Sequence, residues 1–365
     1  MCMYTVFDQQ MMARALQLAH QGLHSTMPNP RVGCVIARDG QVLGEGFTQP
    51  AGQDHAEVQA LKACQSAGRE TSGATAYVTL EPCSHFGRTP PCANALLQAG
   101  IKRVVAAMVD PNPLVAGKGL ALLAEQGVET SSGLMAAEAR ELNIGFVSRM
   151  ERGRPWLRLK LASSLDGKTA LLNGESKWIT GEAARTDVHR WRARSCAMLT
   201  GIGTVLADDP EMNVRYVESP RQPQRIVIDS RLRVPSGARI IAPGTLVVCG
   251  EADMSRADAL RERGAEVLAL PSERGSVDLA ALLPVLAQRQ YNEVMVEAGA
   301  RLAGAWLQRG LVDELLLYQA PVLMGDQARG LVDWPALTSM QQKQALQLRD
   351  MRMVGQDIRM ILRPA

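Results

Sequence analysis

The sequence lacks the features that mark a membrane or secreted protein. Across its 365 residues no apolar run approaches the roughly 20 residues that a membrane helix needs. The N-terminal segment has no basic stretch followed by an apolar core, so no signal peptide is expected. The seven cysteines are scattered and unevenly spaced, unlike a disulfide framework. We therefore expect a cytoplasmic protein with no membrane partner.

A strong excess of charge of one sign is also missing. The formal net charge is +3, which is well short of the basic stripe of a dedicated nucleic-acid binder. Hydrophobic residues make up 46% and charged residues 21%, as in globular proteins that bury sizeable cores. We expect a small-molecule substrate and no nucleic-acid partner.

Helical and strand-like patterns alternate along the chain, and this alternation starts twice. In the first series, Asp39-Gly40 joins two strand-like runs as a hairpin signal, and a helix is predicted from His55 to Ala67. The short, charged segment "MERGRPW" then interrupts the pattern with Gly153 and Pro155. We place the boundary there, which gives two α/β domains, 1–152 and 153–365.

Three residues of the first domain carry the side chains that zinc prefers. His55, Cys83 and Cys92 form a three-ligand set that leaves a fourth position for water, as in catalytic zinc sites. Cys92 follows two prolines at a predicted helix start, where the helix dipole favours a thiolate.

Glu57, in the triplet "HAE", is the predicted proton carrier beside this set. An attacking water must lose a proton and a leaving amine must gain one, and a single carboxylate can do both. The pattern matches the H-x-E…P-C-x-x-C signature of zinc deaminases, except that Cys92 lies nine residues after Cys83 instead of three. One alternative makes His55 a helix-start residue and both cysteines buried apolar fillers. Another is a closed structural zinc site with His85 as the fourth ligand, although substrate contact is favoured for His85.

Four motifs together carry a family resemblance: "MPNPRVGCVI", "HAEVQAL", "TLEPCSHFGRTPPC" and "DPNPLVAGKG". They resemble the deaminase half of the bifunctional riboflavin-biosynthesis deaminase/reductase family. The long insertion between the cysteines separates that family from deaminases of nucleic acids and free cytidine. The resemblance implies that Asn29 and His85 contact the substrate ring and that Glu57 shuttles protons.

The second domain contains "KLASSLDGKTA" and "GESKWITG", which resemble the reductase half of the same family, with a fold like dihydrofolate reductase. In "VMVEAGARLAG" a strand, a glycine turn and a helix start offer free N–H groups for a pyrophosphate. "GIGTV" at Gly201 is a weaker signal, because it lacks the third glycine of a dinucleotide fingerprint. Ser230, Arg231 and Arg233 follow a predicted strand. They would favour NADPH over NADH by holding a ribose 2′-phosphate, or they form only a solvated basic loop.

The resemblance also implies site residues in this domain. The implied cofactor site comprises Ala162, Trp178, Thr204, Asp208, Ser230, Gly299, Ala300, Arg301, Leu302, Ala303, Gly304 and Ala305. The implied substrate site comprises Ser176, Arg192, Met212, Arg215 and Glu297, in which the arginines suit a sugar phosphate. Asp208 and Lys160 are further candidates for handling protons during reduction.

The sequence thus predicts a cytidine-deaminase-like α/β/α domain followed by a dihydrofolate-reductase-like α/β domain. The first would remove the 2-amino group of a phosphoribosyl-aminopyrimidine with zinc, and the second would reduce its ribosyl group to ribityl with NADPH. A homo-oligomer, dimer or tetramer, is expected. The rival hypotheses are a tRNA-editing or nucleoside deaminase and a zinc-stabilised binding module. The first predicts a short P-C-x-x-C, and the second has no use for Glu57.

Overall fold

The computed structural model describes residues 4–84 and 91–365. The chain divides into two compact units, Met1–Gly153 and Arg154–Ala365. Within the described residues, no helix combines the length and the apolar character needed to cross a membrane.

The first unit is a five-stranded sheet with helices packed against it. Its strands are β1 (Gly33–Arg38), β2 (Gln41–Phe47), β3 (Thr75–Val78), β4 (Arg103–Ala106) and β5 (Glu129–Ser132). Its helices are α1 (Val6–Gln21), α2 (Ala56–Ser66), α3 (Cys92–Gln98), α4 (Lys118–Glu125), α5 (Ala136–Leu142) and α6 (Ile144–Arg152). The strand order is β2-β1-β3-β4-β5, antiparallel from β2 to β3 and parallel from β3 to β5.

Two local features of the first unit confirm sequence predictions. Asp39 and Gly40 have φ values of 52° and 77°, which a two-residue hairpin turn requires, and they join β1 to β2. Helix α2 begins directly after His55, one residue from the predicted start. The strand β5 was not predicted, because its sequence "ETSS" has neither apolar alternation nor β-branched enrichment.

Glycines in β2 allow α2 to lie directly on the sheet. A Cβ atom on Gly46 would stand 2.5 Å from the main-chain nitrogen of Ala60, and one on Gly44 would stand 2.4 Å from the Ala60 carbonyl oxygen. These distances leave no room for a side chain, so main chain packs against main chain. This close packing fixes the start of α2, where His55 and Glu57 lie.

The second unit is built on a nine-stranded sheet and a small two-stranded one. Its strands are β6 (Trp156–Ser164), β7 (Lys168–Ala170), β8 (Ala197–Gly201), β9 (Gln224–Ile228), β10 (Leu246–Cys249), β11 (Glu266–Ala269), β12 (Glu293–Glu297), β13 (Glu314–Ala320), β14 (Arg329–Gly330), β15 (Leu346–Val354) and β16 (Asp357–Pro364). Its helices are α7 (Glu182–Arg194), α8 (Ile202–Asp208), α9 (Met254–Glu262), α10 (Leu279–Gln288) and α11 (Ala300–Gln308). The large sheet has the order β11-β10-β9-β8-β12-β6-β13-β16-β15.

The direction of these strands decides where a site can form. The seven neighbouring strands β11, β10, β9, β8, β12, β6 and β13 run parallel to one another. β16 pairs antiparallel with β13, and β15 pairs antiparallel with β16. The carboxyl ends of the parallel strands therefore open at one edge, where α/β sheets bind their ligands. The "GIGTV" segment belongs to this edge, since β8 ends at Gly201 and α8 begins at Ile202.

Candidate active sites

The first unit brings one histidine and two cysteines together. The Nδ1 atom of His55 lies 3.7 Å from the Sγ atom of Cys83 and 3.3 Å from that of Cys92. The three ligand atoms all lie within 4.8 Å of one another. Such separations suit nitrogen and sulfur ligands on one tetrahedral ion with bonds of about 2.0–2.3 Å. Donor chemistry and geometry therefore both fit zinc.

Helix starts position two of these ligands. His55 caps the N-terminus of α2, and Cys92 is the first residue of α3. The N–H of Cys92 donates to Cys83 Sγ at 3.3 Å, and the N–H of Ala93 donates to the Cys83 carbonyl oxygen at 3.1 Å. The α3 N-terminus thus supports Cys83 as well as Cys92. Pro91 takes the capping position instead of the first turn, because its ψ of 131° is not helical.

The interaction between the two thiols shifts their pKa values in opposite directions. Hydrogen bonds from Cys92 and His55 hold the pKa of Cys83 well below its usual value, even though burial opposes this. The pKa of Cys92 is raised by its bond to the Cys83 sulfur and by burial. Without an ion, the pair therefore favours one thiolate and one thiol. A divalent cation with a preference for sulfur would stabilise both as thiolates.

Glu57 lies in the first turn of α2, two residues after His55, and is only 4% exposed. Burial and the neighbouring Cys83 sulfur raise its pKa to about 7. A carboxyl group beside the three ligands and shielded from bulk water is well placed to take up and return a proton.

A second glutamate, Glu81, anchors a loop beside the cluster, and sequence analysis gave it no role. Its Oε1 atom accepts the N–H groups of Gly119 at 2.9 Å and Leu120 at 3.1 Å. Its Oε2 atom accepts those of Asp110 at 3.0 Å and Gly117 at 2.8 Å. Glu81 thus ties the "DPNPLVAGKG" segment to the strand end that carries Cys83. The combination of "EPC" with a glycine-containing loop was the available signal, but pairing the two needed the fold.

Asn29 and His85 are the two residues predicted to contact the pyrimidine ring. Asn29 is half-buried on the loop before β1, and its N–H donates to the Thr26 carbonyl oxygen at 2.9 Å. Its ring contact stays a prediction. His85 lies outside the described residues.

The second unit contains a cleft of about 1510 Å³ at the carboxyl edge of its parallel strands. The ends of β6, β8, β9 and β12 and the start of α11 line it. Most of the predicted site residues lie here: Lys160, Ala162, Ser176, Trp178, Arg192, Thr204, Asp208, Met212, Arg215, Ser230, Glu297, Gly299, Ala300, Arg301, Leu302 and Ala305.

Two predicted residues of the α11 segment do not line the cleft. Ala303 is fully buried in the core, and a Cβ atom on Gly304 would stand 2.0 Å from the Asp333 carbonyl oxygen. The prediction placed the whole run from Gly299 to Ala305 in the cofactor site. From Ala300 onwards it is helical, so its residues alternate between cleft and core.

The charge of the cleft suits anionic ligands. Among the described residues that line it, lysines and arginines outnumber carboxylates by twelve to six. Glu297 pairs with Arg192 at 2.7 and 2.8 Å, and Arg192 also donates to the Asn213 carbonyl oxygen at 3.0 Å. Although burial opposes it, the charges of Arg192 and Lys160 lower the pKa of Glu297 to about 2. Lys160 is half-buried on β6, and desolvation lowers its pKa.

Several cleft residues were missed by sequence analysis. Arg185 lies 4.7 Å from the ring centroid of Trp178, which is 69% exposed, and Lys177 pairs with Asp208 at 2.9 Å. Further cations at the rim are Arg239, Arg274, Arg309 and Arg329. Isolated basic residues carry no local pattern, so only their convergence in the fold distinguishes them from ordinary surface charge.

Family models match each unit separately. The model described as "Cytidine and deoxycytidylate deaminase zinc-binding region" matches residues 5–108, and the "RibD C-terminal domain" model matches residues 155–360. Together with the fold and the ligand cluster, they define a two-domain enzyme. A zinc-dependent, cytidine-deaminase-like domain precedes an NADPH-dependent, dihydrofolate-reductase-like domain.

Relatives match the whole chain. The Escherichia coli riboflavin biosynthesis protein RibD is 50% identical over 364 residues, covering 96% of this chain and 98% of that protein. The structure of Acinetobacter baumannii RibD is 46% identical with a TM-score of 0.90, covering 98% and 99%. A Thermotoga maritima diaminohydroxyphosphoribosylaminopyrimidine deaminase/5-amino-6-(5-phosphoribosylamino)uracil reductase is 31% identical with a TM-score of 0.87, covering 98% and 99%.

The chain belongs to the RibD family of riboflavin biosynthesis proteins. The family, the fold class, the pairing of deaminase with reductase, and the zinc and NADPH cofactors predicted from the sequence are confirmed.

Proposed function

We propose that each unit performs one of two consecutive reactions on one phosphoribosyl-aminopyrimidine. The first unit deaminates 2,5-diamino-6-(5-phosphoribosylamino)pyrimidin-4-one to 5-amino-6-(5-phosphoribosylamino)uracil. The second reduces the ribosyl group of that product to ribityl. The observation that carries the proposal is the cluster of His55, Cys83 and Cys92 beside the buried Glu57, in a chain whose second unit holds a separate cationic cleft.

In the deamination, three side chains hold the metal and a fourth moves the proton. His55, Cys83 and Cys92 are the proposed zinc ligands, and zinc supplies a Lewis acid that makes water nucleophilic near neutral pH. Glu57 accepts the proton released as water adds to the ring carbon, and it returns a proton to the departing amine. Burial excludes competing solvent from this exchange. Asn29 and His85 are the proposed contacts to the ring.

In the reduction, the cleft holds cofactor and substrate side by side. NADPH supplies the hydride. Most of the proposed cofactor residues line the cleft, and the main-chain N–H groups at the start of α11 would bind an anionic group of the cofactor. Ser230 and Arg231 are proposed to hold the 2′-phosphate.

The proposed substrate residues also line this cleft. They are Ser176, Arg192, Met212, Arg215 and Glu297. The Arg192 side chain pairs with Glu297 and is 12% exposed, whereas that of Arg215 pairs with Glu211 and is 42% exposed. Arg215 is therefore the proposed partner of the sugar phosphate. Lys160 and Asp208 are the proposed groups for proton handling, and the lowered pKa of the half-buried Lys160 is compatible with donating a proton.

We further propose that the chain forms a homo-oligomer through β15. This strand is one edge of the nine-stranded sheet, and Leu348, Met351 and Met353 on it are 53%, 60% and 61% exposed. An edge strand with apolar side chains pairs readily with a second copy of itself about a twofold axis. Light scattering should show loss of the oligomer in Met351→Lys, and a wild-type monomer would exclude the proposal. We place the enzyme in the cytoplasm, in keeping with six cysteines that form no disulfide bond among the described residues.

The test of the two-reaction proposal is product analysis of the diaminopyrimidine nucleotide by mass spectrometry, with and without NADPH. Wild-type protein should give the uracil without NADPH and the ribityl product with it. Glu57→Gln should keep its zinc, lose deamination and still reduce the uracil nucleotide. The matched control is Glu70→Gln, an exposed glutamate of the same unit, which should keep both activities. If a folded Glu57→Gln protein loses both activities, or neither, the division of labour is wrong.

A further inference from the structure

His189 is a buried histidine in the wall of the reductase cleft that neither the motifs nor the proposed reaction uses. It lies on α7, one turn before Arg192, and it is 3% exposed. Its Nδ1 atom accepts the main-chain N–H of Arg215 at 2.9 Å. A side chain on the helix therefore holds the main chain of the segment that carries a proposed phosphate ligand.

A second contact joins the same two elements. The rings of His189 and Tyr216 have centroids 4.5 Å apart and are tilted by 48°. Arg192 adds another link by donating to the Asn213 carbonyl oxygen at 3.0 Å. Three contacts thus attach this segment to α7, at Asn213, Arg215 and Tyr216. Of these, only the bond to His189 holds the main chain of Arg215 itself.

The surroundings keep the His189 ring neutral, as this bond requires. Burial and the charges of Arg192, Arg215 and Lys160 lower the pKa of His189 to about 4, against the opposing charge of Glu297. Because the pKa is lowered, the neutral form predominates above about pH 4, and Nδ1 remains an acceptor throughout the neutral range. The proton of the neutral ring is then on Nε2.

We propose that His189 is a positioning residue of the reductase site, fixing the main chain of Arg215 through Nδ1 so that its guanidinium binds the phosphate of the substrate. This inference rests on the proposed role of Arg215. The geometry distinguishes it from a packing role. A packing residue needs only the volume of the ring, whereas a positioning residue needs an acceptor at Nδ1.

Asparagine and glutamine at position 189 distinguish a positioning role from a packing role. The Oδ1 atom of asparagine takes the place of Nδ1 and can accept the hydrogen bond, whereas the amide of glutamine lies at the place of Nε2. We expect His189→Leu and His189→Gln to raise KM for the uracil nucleotide about tenfold, with kcat little changed, as for one lost hydrogen bond of about 1.4 kcal/mol. His189→Asn should restore most of the affinity. Deaminase activity and the thermal unfolding midpoint serve as folding controls. Equal KM values for the Asn and Gln variants would overturn the inference.

A double variant tests whether His189 acts through Arg215. Arg215→Met alone should raise KM. Adding His189→Gln should raise it little further, because both changes weaken the same contact, that of Arg215 with the substrate phosphate. Fully additive effects would overturn the inference while leaving the role of Arg215 intact. An unchanged KM in Arg215→Met would instead refute the proposed phosphate ligand, and the inference that depends on it.

Discussion

Replacing Glu81 by glutamine tests whether one carboxylate organises the loop beside the zinc ligands. Each of its oxygens accepts two main-chain N–H groups, from Gly119 and Leu120 on one side and from Asp110 and Gly117 on the other. The amide nitrogen of glutamine cannot accept, so one pair of N–H groups would face another donor. A hydrogen bond to a charged group contributes about 1.5–3 kcal/mol, so losing two costs about 3–6 kcal/mol.

This loss should be local, which makes hydrogen exchange the appropriate assay. Local opening free energies are read directly from the exchange rates of individual amides. A loss of about 3 kcal/mol corresponds to about 100-fold faster exchange across residues 110–120. Deaminase activity should fall in parallel, since Glu81 lies two residues before Cys83, while NADPH-dependent reduction should persist. Glu125→Gln, on the exposed end of α4, is the matched control and should leave exchange unchanged.

A second variant, Gly119→Ala, should displace the same segment through a steric clash. A Cβ atom on Gly119 would stand 1.9 Å from the Pro82 carbonyl oxygen, so Gly119→Ala must push the loop away from the strand end. It should reproduce the faster exchange and the loss of deamination while leaving the Glu81 carboxylate in place. Unchanged exchange in both variants would refute the claim that this contact organises the deaminase site.

Three further outcomes are expected. Metal analysis should find one zinc per wild-type chain and markedly less in Cys92→Ser, and undiminished zinc in that variant would exclude the ligand set. Zinc affinity should weaken as pH falls, because the thiols must ionise to bind the metal. Ser230→Ala and Arg231→Ala should each weaken NADPH binding by about one to two decades and NADH binding much less, whereas equal losses would place the 2′-phosphate elsewhere. Burial alone would raise the pKa of Asp8, but the Arg103 guanidinium and other hydrogen bonds hold it below its usual value. Its stabilising contribution is therefore present above about pH 4 and lost as pH falls below it, so acid unfolding curves of wild type and Asp8→Asn should converge at low pH.

The sequence by itself determined the chemistry of the first unit, because its signals are local. "HAE" and the two cysteines name donor atoms that zinc prefers, and helix starts at His55 and Cys92 follow from apolar periodicity and from proline. The hairpin at Asp39-Gly40 was equally local, since two adjacent residues carry the whole conformational requirement. Alternating strand and helix patterns likewise placed most elements of both units.

The tertiary structure alone decided which distant residues meet. His55 and Cys92 are 37 positions apart, and they meet because the helices that begin beside them, α2 and α3, contact each other in the fold. Glu81 finds its partners 29 to 39 residues later, and His189 finds Arg215 26 residues later. No local pattern predicts such pairings, because the residues that flank a buried carboxylate or histidine do not indicate which distant group it will bind. The cleft is likewise a product of strand order, since parallel strands bring the ends of β6, β8, β9 and β12 to one edge.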